Sequence, residues 1–208
     1  MLSPKAHNCI SYVGSVFVFL VAASPEVRLS LPSLLWILHF SRRSVESLCL
    51  FKFSETKVSA GDSAQEFVYY WAFGFFIARQ VKVSVVSNYS VYQVGWAICE
   101  LCNFSCHRTL ASVPRSKDGK KRRVKDSVLF SLVSCPHYFF EITSWLFFNL
   151  ASSTIAGWIF MCAGAVIMTC WADLRHEEYE RHCRSKIHCP IFPFIKLRPP
   201  QFLVDALK

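Results

Sequence analysis

Apolar stretches recur along the whole length of the chain, and its charged residues gather between them. Hydrophobic residues make up 53% of the 208 residues, which is more than an ordinary soluble domain carries. A helix needs about 20 consecutive apolar residues to cross a bilayer, and lipid admits only helices and closed barrels because backbone polar groups must be paired internally. The pattern predicts an all-α fold, a polytopic bundle of membrane-spanning helices.

The basic residues indicate which loops face the cytosol. Lys and Arg concentrate in 41–65, 107–127 and 173–208, and the positive-inside rule places all three segments on the cytosolic side. The predicted spans between and before these loops are 9–23, 29–40, 66–82, 89–106, 128–150 and 153–172. Segment 9–23 ends in Ala-Ala-Ser-Pro, as a signal peptide can, but further spans follow it and favour a retained helix. About six spans are therefore expected, with both termini in the cytosol.

Charge and cysteine content narrow the function classes. The formal net charge of +9 resides in the loops, without a basic patch interleaved with exposed aromatic residues, so we expect no nucleic-acid partner. Ten cysteines are scattered, several inside apolar runs, which does not indicate a disulfide scaffold. Cys99, Cys102, Cys106 and His107 have zinc-ligand chemistry. They lie at the end of an apolar helix with no second ligand pair, so no metal site is predicted.

Glu141 is the most informative single residue. It lies inside the apolar run 128–150, in the segment Ser-Cys-Pro-His-Tyr-Phe-Phe-Glu of residues 134–141. A charge near mid-membrane costs about 2.5–3.5 kcal/mol on insertion scales unless it faces protein, water or a ligand. The alternative is a carboxylate near a helix end that reaches the headgroups. Its apolar neighbours favour a functional site. Pro136 is also expected to disturb the helix around Tyr138.

Two other groups of polar residues could contribute to such a site. Asn103 and His107 are four residues apart and so share one helix face; the alternative is an anchor at the membrane interface. Arg122 and Arg123 would suit a phosphate-rich ligand, although a basic loop also serves as a topology signal or contacts lipid headgroups. A third group, Arg175, His176 and Tyr179, follows the last predicted span.

These segments together resemble a known family. The matching motifs are residues 134–141, 171–179 and 190–195, Asn-Phe-Ser-Cys-His at 103–107, His-Phe-Ser-Arg-Arg-x-x-Glu at 39–46, and Tyr-Tyr-Trp at 69–71. They look like the trans-2-enoyl-CoA reductases of the wider steroid 5-alpha-reductase family. The resemblance covers roughly residues 33–195, which we expect to form the reductase domain. Residues 1–32 are then an N-terminal membrane segment and residues 196–208 a C-terminal tail. The family usually has a ubiquitin-like domain before this region, and we expect residues 1–32 not to form one.

The resemblance implies an oxidoreductase of the endoplasmic-reticulum membrane that acts in fatty acid elongation. NADPH would reduce the trans-2 double bond of a long-chain or very-long-chain enoyl-CoA, with membrane lipid and other elongation enzymes as further partners. Tyr138 is the implied proton donor. A tyrosine, whose reference pKa is about 10, can serve as general acid if neighbours stabilise the phenolate. The implied cofactor contacts are Asn103, Arg123, Glu141, His176 and Tyr179.

The chain departs from the family pattern at several positions. His137 stands where the family usually has asparagine, and Phe40, Arg42, Phe51 and Ala111 also differ from the usual residue. Two rival interpretations therefore stay open. One is a sibling enzyme that reduces an enone steroid or a polyprenol by the same hydride chemistry. The other is a catalytically inactive membrane adaptor within an elongase complex.

Overall fold

Helices form all the regular elements in the residues that the structure describes. The computed structural model describes residues 1–53, 56–82, 89–113, 127–183, 189–192 and 199–206. The helices there are α1 (Pro4–Ala22), α2 (Pro25–Arg28), α3 (Leu31–Val45, continued by a π-helical turn Glu46–Leu50), α4 (Ala60–Gln80), α5 (Tyr89–Ser112), α6 (Val128–Leu132), α7 (Pro136–Ser152), α8 (Ile155–Cys183) and α9 (Gln201–Ala206). The all-α prediction is confirmed.

Two helices within the described ranges are long and apolar enough to cross a membrane by length and composition, and they are Pro4–Ala22 and Ile155–Glu180. The other predicted spans fall short for two reasons. Helices α3 and α7 have only 15 and 17 residues, below the ~20 that a bilayer requires. Helices α4 and α5 are long enough, but charged residues such as Asp62 and Glu100 lie within them. Six spans are therefore not confirmed and remain a prediction.

The predicted span 128–150 is wrong as one continuous helix. The structure divides it into α6 and α7, with residues 133–135 between them. Pro136 is the first residue of α7, a position that proline favours because its missing N–H has no helical partner there. The bend therefore precedes Pro136, and Tyr138 lies within the first turn of a helix rather than in a distorted segment.

Helix α8 continues beyond the end of the predicted span 153–172. Helix α8 has 29 residues and continues to Cys183. Residues 173–183 contain neither proline nor glycine, so nothing in the sequence interrupts the helix after its apolar part. Asp173, His176 and Tyr179 are consequently helical, and they recur at three-residue intervals along α8.

The chain divides into two compact units, and the first comprises Met1–Gln93 and Phe147–Phe160. In this unit α1 packs against α3 and α4. Its core is aromatic: the fully buried Trp36 ring has its centroid 4.7 Å from that of Phe40 and 5.3 Å from that of Phe19. Phe40 therefore fills a packing position in the core.

Hydrogen bonds between charged or titratable side chains stabilise the first unit beside this core. His7 Nε2 lies 2.7 Å from Glu66 Oε2 and connects the first turn of α1 with the second turn of α4. Glu46, buried at the end of α3, accepts hydrogen bonds from Arg42 and Arg43. Because an unpaired buried carboxylate would be costly, the two arginines account for the burial of Glu46. Arg42 thus has a structural partner in this chain.

Candidate active site

The second unit, Val94–Leu146 with Met161–Lys208, contains the predicted site residues that the structure describes. Its polar centre begins with Asn103 on α5, which is 0% exposed. Asn103 Nδ2 donates to the carbonyl oxygen of His137 at 2.8 Å and to Glu141 Oε2 at 3.3 Å. Helix α7 supplies both acceptors. Two of the predicted cofactor residues, Asn103 and Glu141, are therefore in direct contact.

The oxygen of the Asn103 side-chain amide is a hydrogen-bond acceptor without a donor in the described part of the chain. This Oδ1 atom is buried and has no hydrogen-bond partner among the residues that the structure describes. An unpaired buried acceptor costs about 1–3 kcal/mol, so such an atom usually awaits a donor from a ligand or water. Beside it lies the carboxylate of Glu141, which also accepts hydrogen bonds. The pair forms an acceptor site suited to an amide –NH₂ group.

His176 is held against the start of α7. His176 is only 2% exposed. Its Nδ1 atom and Ser134 Oγ form a hydrogen bond of 2.7 Å. The Nε2 atom lies 3.3 Å from Glu180 Oε1, one turn further along α8. Tyr179, which is 3% exposed, follows on the same helix. Both ring nitrogens of His176 thus have polar neighbours, which fixes the orientation of the imidazole.

Backbone hydrogen bonds fix the segment between α6 and α7 against residues 189–192. Ser134 N–H donates to the carbonyl of Cys189 at 3.2 Å, and Cys135 N–H donates to the carbonyl of Pro190 at 2.8 Å. Cys135 packs with Ala172 and Ile191 in a buried cluster. The start of α7 is therefore held both by the 189–192 segment and by α8.

Tyr138 lies directly above this cluster and is partly buried. Its ring centroid is 4.2 Å from that of His137 and 6.5 Å from that of Trp171 on α8. The imidazole of His107 lies next to His137, with the ring centroids 5.7 Å apart. The phenol therefore packs between an imidazole of α7 and an indole of α8.

Arg175 supplies a positive charge on the α8 side. Arg175 is partly buried, and its guanidinium is close enough to Tyr138, Cys135, Tyr179 and Glu178 to interact with them electrostatically. The residue lies one helical turn after Trp171, so both side chains are on the face of α8 that meets Tyr138. A cation is therefore adjacent to the residue expected to donate a proton.

The site residues fall into two groups that the first turns of α7 connect. One group is Asn103 with Glu141, and the other is His176 with Ser134, followed by Tyr179. Sequence reasoning noted Arg175 but assigned it no role, and it gave Ser134 no role either. The position of Arg175, a positively charged residue directly after the apolar part of α8, could have identified it as a site residue. Arg123 lies outside the described residues, as does most of the basic loop.

Comparisons with known proteins identify the family of this chain. The family model described as 3-oxo-5-alpha-steroid 4-dehydrogenase matches residues 63–188. A putative enoyl-CoA reductase of Trypanosoma brucei brucei is 35% identical over 70% of this chain and 51% of its own length. A very-long-chain enoyl-CoA reductase of Dictyostelium discoideum is 29% identical, with 72% and 51% covered.

A human trans-2,3-enoyl-CoA reductase-like protein is 26% identical over 76% of this chain and 47% of its own length. The chain thus spans about half the length of the curated relatives it matches. The family match, in contrast, covers more than half of this chain and includes all six predicted site residues. The chain belongs to the 3-oxo-5-alpha-steroid 4-dehydrogenase family, together with relatives named enoyl-CoA reductases.

Proposed function

We propose that the protein is an NADPH-dependent reductase of the trans-2 double bond of long-chain and very-long-chain enoyl-CoA. The names of the relatives from Trypanosoma and Dictyostelium support this reaction. The very-long-chain name of the second relative supports a role in fatty acid elongation at the endoplasmic reticulum. The same proposal includes other elongation enzymes as partners.

The observation that carries the proposal is the position of Tyr138. Reduction of an activated double bond needs a hydride at the beta carbon and a proton at the alpha carbon. Tyr138 presents an ionisable hydroxyl in the first turn of α7, and the guanidinium of Arg175 is among its charged neighbours. A positioned general acid contributes about 10²–10⁴ in rate. We assign the transfer of the proton to the alpha carbon to the Tyr138 hydroxyl.

The acceptor site of Asn103 and Glu141 fits a nicotinamide cofactor. The buried Asn103 Oδ1 needs a donor, and the carboxamide –NH₂ of nicotinamide offers two N–H groups. When bound, NADPH supplies the hydride. Asn103 and Glu141 would hold its carboxamide, while His176 and Tyr179 would bind other polar parts of the cofactor. Arg123 would meet a phosphate, as guanidinium groups commonly do.

The proposal places the protein in the membrane with about six spans and a cytosolic site. The two apolar helices support a membrane protein, and the basic segments 107–127 and 173–208 support cytosolic exposure of the loops. Protease treatment of sealed microsomes tests this topology. Cleavage within 107–127 without detergent is expected, and protection of that loop would contradict the six-span arrangement.

One observation favours a second candidate, the reduction of an enone steroid or polyprenol. The matching family model is described by a steroid reaction. An enone, like an enoyl thioester, accepts a hydride at the carbon beta to its carbonyl group, so the chemistry of Tyr138 would be the same; a polyprenol would have to be presented as its aldehyde. The relatives named enoyl-CoA reductases, at up to 35% identity, favour the thioester.

NADPH oxidation by the purified chain separates these functions. The assay compares a long-chain trans-2-enoyl-CoA, an enone steroid and a polyprenal, each with NADPH and with NADH. Turnover with the enoyl-CoA and NADPH is the expected result. Turnover with the steroid or polyprenal alone would support the sibling enzyme. Cofactor binding without turnover of any substrate would support an inactive adaptor and overturn the proposal.

A further inference from the structure

The neighbours of Tyr138 raise a question that the proposed reaction leaves open. A phenol has a reference pKa of about 10 and gives up its proton reluctantly. An acid of this kind works well only if its surroundings stabilise the anion that forms. The rings of His137 and Trp171 pack beside Tyr138, and neither is permanently charged. An arginine, which stays protonated in proteins, supplies a permanent positive charge.

The packing of α7 on α8 determines which side chain lies closest. Ser134 is hydrogen-bonded to His176 at 2.7 Å, and Tyr138 packs with Trp171 and with the cluster that contains Ala172. These contacts come from both ends of the α8 segment 171–176, so its register against the start of α7 is fixed. Arg175 lies inside that segment, one turn after Trp171 and on the same face.

The charges around Arg175 agree with this geometry. Its guanidinium lies among the ionisable side chains of Tyr138, Cys135, Tyr179 and Glu178. A guanidinium beside a phenol lowers the free energy of the phenolate more than that of the neutral phenol. The effect is strong when the pair is shielded from water.

We propose that Arg175 is a positioning residue for the reaction: its guanidinium stabilises the phenolate of Tyr138 as the proton leaves for the alpha carbon of the substrate. The O–H bond of Tyr138 breaks, a C–H bond forms at the alpha carbon, and the negative charge that develops on the phenol oxygen faces Arg175. The same contact holds the hydroxyl in place before the transfer. This inference rests on the proposed function, since it assigns Tyr138 the role of proton donor.

A double-mutant comparison tests the coupling between the two residues. Arg175→Gln should lower kcat about 10- to 100-fold, because a neighbouring opposite charge changes protonation equilibria by roughly 1–3 pK units. KM for the enoyl-CoA should change little, and Arg175→Lys should recover most of the rate. In a Tyr138→Phe background, Arg175→Gln should cost less than about twofold, since coupled residues are not additive. Arg79→Gln, which removes an exposed arginine of α4, is the matched control.

Two kinetic results would overturn the inference. One is an equal loss of kcat from Arg175→Gln in the wild-type and Tyr138→Phe backgrounds, which would show that the residues act independently. The other is a rise in KM with unchanged kcat, which would mean that Arg175 binds the substrate.

A spectroscopic titration tests the contact without any turnover. The absorbance of the ionised Tyr138 is obtained as the difference between the wild type and Tyr138→Phe, and again as the difference between Arg175→Gln and the double variant. The inference predicts that the phenolate appears at higher pH without Arg175 and that Arg175→Lys, the variant least disruptive to folding, restores the wild-type titration. Identical titrations with and without Arg175 would contradict it. If the wild type lacks turnover, the proposed reaction fails, while this titration still decides the contact.

Discussion

The side chains of Asn103 and Glu141 are joined across 38 positions of sequence by a hydrogen bond of 3.3 Å from Nδ2 to Oε2. The bond accounts for a carboxylate within an otherwise apolar stretch of α7. It also turns Asn103 so that Nδ2 serves Glu141 and the carbonyl of His137, which leaves Oδ1 buried and available to a ligand donor. The acceptor site therefore depends on both residues.

Glu141→Ala should weaken NADPH binding. The change removes one acceptor of the site and one partner of Asn103, and a lost buried polar contact costs about 1–3 kcal/mol. That cost corresponds to a roughly 5- to 150-fold higher Kd. Fluorescence titration with NADPH measures it, with Glu26→Ala as the control because Glu26 is exposed on α2. An unchanged Kd would remove Glu141 from the cofactor site.

Tyr138→Phe should abolish most of the turnover while leaving cofactor binding intact. The substitution keeps the ring against His137 and Trp171 and removes only the hydroxyl. Loss of a general acid lowers kcat by about 10²–10⁴. Tyr92→Phe, a partly buried tyrosine of α5 in the first unit, is the control. Turnover near the wild-type rate would make Tyr138 a packing residue.

Prediction from sequence succeeded where the signal was local. Apolar runs located the main helices, although α1 begins at Pro4, five residues before the apolar run 9–23, because Ser3 Oγ caps it by accepting from Ala6 N–H at 3.2 Å. The family resemblance, and not residue spacing, predicted that Asn103 and Glu141 belong to the same site. No periodic pattern in the sequence connects two helices that are so far apart in the chain.

The features that sequence reasoning missed depend on long-range contacts. The break between α6 and α7 is stabilised by bonds from Ser134 and Cys135 to the carbonyls of Cys189 and Pro190. Nothing in the local sequence indicates those partners. The nearness of Arg175 to Tyr138 likewise follows from the packing of α7 on α8. Hydropathy alone predicts a single apolar span over residues 128–150, where the structure has α6 and α7.

Ser134→Ala should destabilise the second unit. It removes the 2.7 Å hydrogen bond to His176 and leaves a buried ring nitrogen without that contact, which costs about 1–3 kcal/mol in the free energy of unfolding. Denaturant unfolding in detergent measures the loss. Ser131→Ala is the matched control, because Ser131 is exposed and its hydroxyl bonds only a nearby carbonyl of α6. Equal effects of the two substitutions would contradict the prediction.

Two glycine substitutions should have opposite effects on the first unit. A Cβ atom at Gly14 of α1 would overlap the indole of Trp71 on α4, and such overpacking costs about 1–3 kcal/mol. A Cβ at Gly61 meets nothing closer than Ser59 Oγ at 3.8 Å. Gly61→Ala should therefore be neutral or stabilise the protein by up to about 1 kcal/mol, since alanine favours the helix. Thermal unfolding of both variants tests the packing of α1 on α4, and a tolerated Gly14→Ala would contradict it.

Isotope labelling with mass spectrometry of the acyl product shows whether hydride from NADPH and a proton from Tyr138 reduce the enoyl-CoA. With NADPH deuterated at the transferred position, deuterium is expected at the beta carbon; with unlabelled NADPH in deuterated water, it is expected at the alpha carbon. Tyr138→Phe should slow formation of both products by about 10²–10⁴. Unreduced enoyl-CoA after incubation of wild-type protein with NADPH, or cofactor deuterium at the alpha carbon, would refute the proposed reaction.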